Sequence, residues 1–178
     1  NNGGGPLGRG TSPDPAGGDA IPAPMADVLN NAVKIAEGEG SSHKLAVMAD
    51  GTAWAWGSNY SLALGLTGIA STPTPTPVPS LQDSVDLKVG YNSSMALTAD
   101  GRVLTWGDNL AGQRGNGYPS PNPSAVPFEV PIDCAVSIAA GQYHCAAVSS
   151  DGHVWTWGLD QSYQLGYELP SFQQSSGV

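Results

Sequence analysis

Three stretches of the chain place short apolar runs on either side of a polar Asp-Gly pair. They read "HKLAVMADGTAWAWGSNYSLALG" from His43, "SSMALTADGRVLTWGDNLAGQRG" from Ser93 and "HCAAVSSDGHVWTWGLDQSYQLG" from His144. Asp-Gly between two such runs signals a hairpin, because the turn needs positive φ and these residues supply it. The pairs are Asp50-Gly51, Asp100-Gly101 and Asp151-Gly152, each followed by a Trp-Gly: Trp56-Gly57, Trp106-Gly107 and Trp157-Gly158. Successive Asp-Gly pairs lie 50 and then 51 residues apart, the mark of a stacked repeat architecture.

With Asp50 and Gly51 as the two central turn residues, Val47 is expected opposite Trp54, and Leu45 opposite Trp56. Ala46, Met48, Ala53 and Ala55 then share the other face. The second copy sets Met95, Leu97, Leu104 and Trp106 against Ala96, Thr98, Val103 and Thr105. The third sets Val148, Trp155 and Trp157 against Ala147 and Thr156. Neither face is charged, so both are expected to be buried, the bulky face of one sheet on the small-residue face of the next. Radial blades meet that requirement.

A further strand precedes each hairpin, in "VKIAEG", "VDLKVG" and "AVSIAAG". Upstream of these, "PVPSL" and "PFEVP" are extended by their prolines and suit an edge strand. The predicted fold is therefore all-β, a partial β-propeller of about three four-stranded antiparallel blades, about 50 residues each. The repeat units run 1–57, 58–107 and 108–158, with 159–178 starting a further repeat, all parts of one propeller domain. The opening "NNGGGPLG" aligns with "SNYSLALG", "DNLAGQRG" and "LDQSYQLG". It reads as the residue of a blade whose Trp-Gly is missing, hence a fragment of a longer propeller. Blade faces left uncovered are expected to self-associate. The Pro-rich stretches "ASTPTPTPVPS" and "GYPSPNPSAVP" read as stiff, solvated connections between blades.

These residues resemble the regulator of chromosome condensation repeat family, whose members are β-propellers. The family pattern runs aliphatic-small-small-Gly-x-x-His, then Asp-Gly, then Trp-Gly-x-Asn-x-x-Gly-Gln-Leu-Gly. "IAAGQYHCAAV" carries its first part at Gly141 and His144. "WGDNLAGQRG" carries its last at Trp106, Gly107, Asn109, Gly112, Gln113 and Gly115, and "DQSYQLG" adds Gln164, Leu165 and Gly166. The copies depart from the pattern at Ser93 in the His slot, Ala63 in the Gln slot, Arg114 in the Leu slot and Asp160 in the Asn slot. The resemblance implies a recognition scaffold. It also implies two alternatives: a regulatory guanine-nucleotide exchange factor acting on a small GTPase, or the accessory propeller of a multidomain enzyme.

Composition narrows the partners. Six Lys and Arg against 15 Asp and Glu give a net charge of −9 over 178 residues. Phosphate binding needs clustered basic residues, so nucleic acid is excluded and anionic membrane surfaces are disfavoured. No apolar run approaches the roughly 20 residues of a membrane span. Low charge and Thr/Pro-rich loops favour an exported, extracellular or cell-surface protein. No catalytic motif, metal-ligand spacing or cofactor fingerprint is present, so the chain is expected to be no enzyme and to carry no cofactor or metal.

The lone aspartates of the Asp-Gly pairs fit turn chemistry rather than calcium. Trp54, Trp56, Trp106, Trp155 and Trp157 are expected in the core. His43 and His144 are expected to tie down their own Gly-x-x-His turns. Cys134 and Cys145 fall on consecutive strands, either as a cross-strand disulfide or as two buried thiols. Asn59 and Asn92 head glycosylation sequons, but Asn59 also fills the family's Asn slot. Loops on a rigid scaffold are where recognition concentrates. The expected protein-binding face is the end carrying the Gly-x-x-His turns and long connections, with Tyr91, Asn92, Tyr143 and His144.

Overall fold

A computed structural model describes residues 29–166. The Asp-Gly pairs close three hairpins, but with three residues in each turn rather than two. Gly51 N–H donates to the Met48 carbonyl (3.0 Å) and Met48 N–H to the Thr52 carbonyl (2.9 Å), leaving Ala49, Asp50 and Gly51 as the loop. Gly51 sits at φ +81°, the left-handed position of a type I turn with its bulge. Asp50 Oδ1 secures the turn by accepting from the Thr52 N–H (3.0 Å) and hydroxyl (2.7 Å).

This turn shifts the predicted register by one residue. Strand β2 (His43–Met48) pairs with β3 (Ala53–Ser58) so that Val47 faces Ala53 and Leu45 faces Ala55. A one-residue slip moves every side chain on one strand to the other face. Leu45 and Val47 therefore share a face with Ala53 and Ala55, while Trp54 and Trp56 join Ala46 and Met48 on the opposite side. The predicted division into bulky and small-residue faces is thus corrected. Each face mixes large and small side chains.

The strands form three antiparallel sheets. β1 (Ala32–Glu37), β2, β3 and β4 (Ser71–Pro77) make the first, in that order. β5 (Ser84–Val89), β6 (Ser93–Thr98), β7 (Val103–Asn109) and β8 (Ser120–Val130) make the second. β9 (Ala135–Ala140), β10 (His144–Ser149) and β11 (Val154–Gly158) make the third. The Pro-rich stretches are not spacers. They form β4 and β8, which pair with the strand before them and so close the preceding sheet. As outermost strands they leave their missing N–H groups facing outward, where proline is tolerated and unwanted pairing is blocked. The repeat limits at 57/58 and 107/108 consequently fall inside β3 and β7. The alignment of the first eight residues, and most of 159–178, lie outside the described residues.

The sheets stack face to face, as blades do. Leu45, Val47, Ala53 and Ala55 of the first pack on Leu87, Val89, Ala96, Leu104 and Trp106 of the second. Met95, Leu97 and Val103 of the second pack on Ile138, Cys145 and Ala147 of the third. A clasp crosses each boundary. Trp106 Nε1 donates to the Ala63 carbonyl (2.8 Å), and Trp157 Nε1 to the Gln113 carbonyl (2.8 Å). Each tryptophan thus grips the loop that follows the preceding Trp-Gly. Trp56 and Trp106 are fully buried, but Trp155 is 45% exposed, against expectation. It lies opposite Ala147 on β10, and its Nε1 donates to Ser149 Oγ (3.2 Å).

The glycine after each tryptophan is also fixed by geometry. Gly107 has φ +93°, and a Cβ there would lie 2.6 Å from the Asn92 carbonyl oxygen. That carbonyl accepts the next N–H, from Asp108 (2.9 Å). The strand bulges here and leads into the loop organised by the Asn slot. Asn109 Nδ2 donates to the Tyr118 carbonyl (2.9 Å), and its Oδ1 accepts from Arg114 N–H (3.0 Å). Asn59 repeats this with Leu66, Ile69 and Leu64, which gives it a structural reason to be Asn.

Cys134 and Cys145 are both free. Cys145 pairs with Ala140 at one end of β9, whereas Cys134 precedes Ala135, which pairs with Ser149 at the other. About five residues of extended strand separate them, far beyond the reach of a disulfide. Cys134 is exposed, so the alternative of two buried thiols holds for Cys145 only.

Candidate functional site

Alternating strand direction sorts the loops into two ends. The Asp-Gly tips lie at one end with the short connections after β4 and β8. The Gly-x-x-His turns lie at the other with the loops after each Trp-Gly. At this second end the three sheets converge, and Tyr91 N–H donates to the Gln142 carbonyl (3.0 Å), joining two neighbouring turns.

A cleft of about 520 Å³ opens here, lined by Gly40, Ser42, His43, Ser58, Tyr60, Tyr91, Asn92, Asp108, Leu110 and Tyr143. The Tyr91 and Tyr143 rings meet with centroids 5.6 Å apart and planes tilted by 47°. Gly40 makes room for this pair, since a Cβ on it would lie 3.3 Å from the Tyr91 ring. Tyr60 and Leu110 stand at the rim, 71% and 64% exposed.

Two polar groups form the inner wall. His43 is buried, and its Nε2 lies 2.9 Å from Ser94 Oγ. The Ser94 hydroxyl donates to the Ala63 carbonyl (2.8 Å), so His43 must donate through Nε2 to Ser94. Burial, aided by nearby Lys44, lowers the His43 pKa to about 4, so the ring is neutral at neutral pH. Asp108 is also buried. Its Oδ1 accepts from Asn109 N–H (2.9 Å) and Leu110 N–H (3.3 Å), and its Oδ2 from Gln113 Nε2 (3.2 Å). No Lys or Arg is among the described residues that line the cleft.

The structure brings Tyr91, Asn92 and Tyr143 together on this cleft and leaves His144 outside it. The His144 ring lies over Gly141, filling the space where a Cβ would sit. His43 does not tie down its own turn, because its partner belongs to the next sheet. Sequence reasoning missed Tyr60, Asp108 and Leu110. Tyr60 and Leu110 occupy the same place in their repeats, four residues after Trp56 and Trp106, and that equivalence was the available signal.

Among the described residues, no three His, Cys, Asp or Glu side chains converge to hold a metal ion. No helix among them is long and apolar enough to cross a membrane.

Radially stacked antiparallel sheets, each clasped to its neighbour by a tryptophan, define a β-propeller repeat protein. The sequence model of the regulator of chromosome condensation (RCC1) repeat matches residues 50–97 and 100–148, and a second model of that repeat matches 85–113 and 135–164. The chain belongs to this family. It is 32% identical over 173 residues to the RCC1 domain-containing protein RUG3, mitochondrial, of Arabidopsis thaliana, covering 94% of this chain and 38% of that protein. It is 30% identical over 168 residues to protein pim1 of Schizosaccharomyces pombe, covering 82% of this chain and 30% of pim1. The chain thus spans well under half the length of these relatives. Among solved structures, human WBSCR16 superposes with a TM-score of 0.75 at 23% identity, over 89% of this chain and 41% of that one. Yeast RCC1 (Prp20), solved with Kap60, superposes with a TM-score of 0.69 at 28% identity, over 84% and 35%.

Proposed function

We propose that this chain is a non-catalytic scaffold for protein recognition, and that it binds through the end carrying the Gly-x-x-His turns. The aromatic cleft carries the reading. Tyr60, Tyr91 and Tyr143 come from three separate segments and are held on packed sheets, with Tyr60 and Tyr91 offering exposed ring surface. Rigid aromatic side chains supply contact area at low entropic cost and are enriched at interfaces. The one His–Ser pair at the site is no nucleophile and base, because the histidine donates to a hydroxyl that itself donates to a carbonyl. Protein partners are in keeping with yeast RCC1, solved bound to Kap60, and with Prp20p, characterised for binding to Gsp1p and histones. An extracellular or cell-surface setting is part of our reading and rests on low charge and Thr/Pro-rich segments alone.

The test is affinity capture with the full-length protein, followed by quantitative binding of each recovered partner. Tyr91→Ala combined with Tyr143→Ala should weaken the specific partner by at least about tenfold. Asp50→Asn combined with Asp151→Asn, at the opposite end, should not. Equal affinity in the tyrosine variant overturns the placement. Stimulated nucleotide release from a small GTPase would replace the scaffold reading with an exchange factor.

A further inference from the structure

We propose that the cleft receives a cationic side chain of the partner, an arginine laid against the Tyr91–Tyr143 ring pair and directed toward Asp108. This rests on the recognition reading above and gives it a chemistry. The Tyr91 and Tyr143 rings touch, with centroids 5.6 Å apart, and Tyr91 stays 39% exposed, so aromatic surface remains open beside the pair, and aromatic faces attract cations. Asp108 is 5% exposed and lines the same cleft. Among the described residues its Oδ2 has a single hydrogen-bond donor, Gln113 Nε2 at 3.2 Å, and a carboxylate oxygen can accept more than one. His43 in the wall is neutral, and no basic side chain among the lining residues competes for the carboxylate. The net charge of −9 draws a basic partner toward the protein as a whole.

Arginine fits better than lysine. A planar guanidinium stacks on a tyrosine face while its N–H groups reach a carboxylate, which a compact ammonium cannot do at once. Asn92 and Ser42 add polar atoms at the cleft wall for the remaining donors. The occupant is then a partner segment with an exposed arginine. A polyanionic ligand would meet Asp108 and no cation.

The probe is the capped peptide acetyl-Gly-Arg-Gly-amide, titrated into the full chain and followed by NMR chemical-shift changes. Its citrulline analogue keeps the shape and loses the charge. The arginine peptide is expected to bind at least about fivefold more tightly than the citrulline peptide, with the gap narrowing in high salt. Asp108→Asn should reduce the gap to about twofold or less. Tyr143→Leu, which keeps a bulky apolar side chain, should weaken the arginine peptide while the amide spectrum of the β-sheets stays unchanged. Equal binding of the two peptides, or no binding at about 10 mM, overturns the proposal. Capture of the protein partner reads separately. If it still depends on Tyr91 and Tyr143 while the peptides do not discriminate, the recognition end stands and the arginine pocket falls. If the peptides discriminate while capture ignores those tyrosines, the recognition reading falls and takes the partner's arginine with it.

Discussion

Acidification should unfasten the first sheet from the second through one residue. His43 is buried at the boundary and donates to Ser94, whose hydroxyl holds the Ala63 carbonyl. Trp106 Nε1 grips the same carbonyl. The His43 pKa falls from 6.5 to about 4 on folding, by burial first and by Lys44 second. A folded pKa below the unfolded one means that the unfolded chain binds the proton more readily. The stabilisation is therefore complete above the unfolded pKa of 6.5 and is lost as pH falls toward the folded value of about 4. The full shift is worth about 3 kcal/mol, of which about 2 kcal/mol is lost by about pH 5. Urea denaturation followed by tryptophan fluorescence, at steps from about pH 7.5 to about pH 5, measures this directly. His43→Gln is the control. Its amide can still donate to Ser94 but cannot titrate, and every carboxylate is common to both proteins. Wild type should lose about 2 kcal/mol more than His43→Gln across that range. Parallel stability curves would refute the reasoning.

Two further outcomes test the blade boundaries. Trp106→Phe keeps the ring in the core but removes the indole donor to the Ala63 carbonyl. It should cost about 2 kcal/mol, read as a lower urea midpoint with an unchanged slope. In the native protein a thiol reagent should label Cys134 quickly and Cys145 only on unfolding, because Cys134 is exposed and burial pushes the Cys145 thiol up to about 12. A mass corresponding to an intramolecular disulfide under native, non-reducing conditions would contradict the strand register.

The hairpins and the stacking of blades were legible because their signals are local. Asp-Gly marks a turn wherever it stands between apolar runs, and the Trp-Gly spacing repeats. The register was not legible. Whether Asp50-Gly51 forms a two-residue turn or shares a three-residue loop with Ala49 depends on one hydrogen bond, from Met48 to Thr52, and that residue of difference decides which face receives Trp54 and Trp56. Nor does local sequence say which neighbour a Pro-rich strand will join. β4 lies between two hairpins in the chain and pairs backward because its preceding loop, pinned by Asn59, reverses the chain at the end of β3. At the site, Tyr91, Asn92 and Tyr143 could be found because they sit in one repeated turn. Asp108 and Tyr60 reach the same cleft from the ends of β7 and β3, so only the three-dimensional register brings them there.

The repeats themselves separate scaffold from site. Where the three copies agree, the agreement is consumed internally. The aspartates of the Asp-Gly tips accept from Thr52, Thr98 and Ser149, Trp106 and Trp157 hold the preceding loop, and Oδ1 of Asn59, Asn109 and Asp160, which share the acceptor if not the residue type, closes its own loop. Such groups have little left to offer a partner. Several of the differences between copies gather on one cleft. The turn before the His slot reads Glu39-Gly40-Ser41-Ser42 in the first copy, Tyr91-Asn92 before Ser93 in the second and Gln142-Tyr143 in the third. The residue after Trp-Gly is Ser58, then Asp108, then Leu159. A small residue at Gly40 seats the Tyr91 ring, which in turn meets Tyr143. The departures at Gly40, Tyr91, Tyr143 and Asp108 thus make room for, or supply, parts of the same aromatic and acidic surface. A chain built of identical copies would present equivalent notches; here the described residues of different repeats combine in a cleft whose chemistry no one repeat contains.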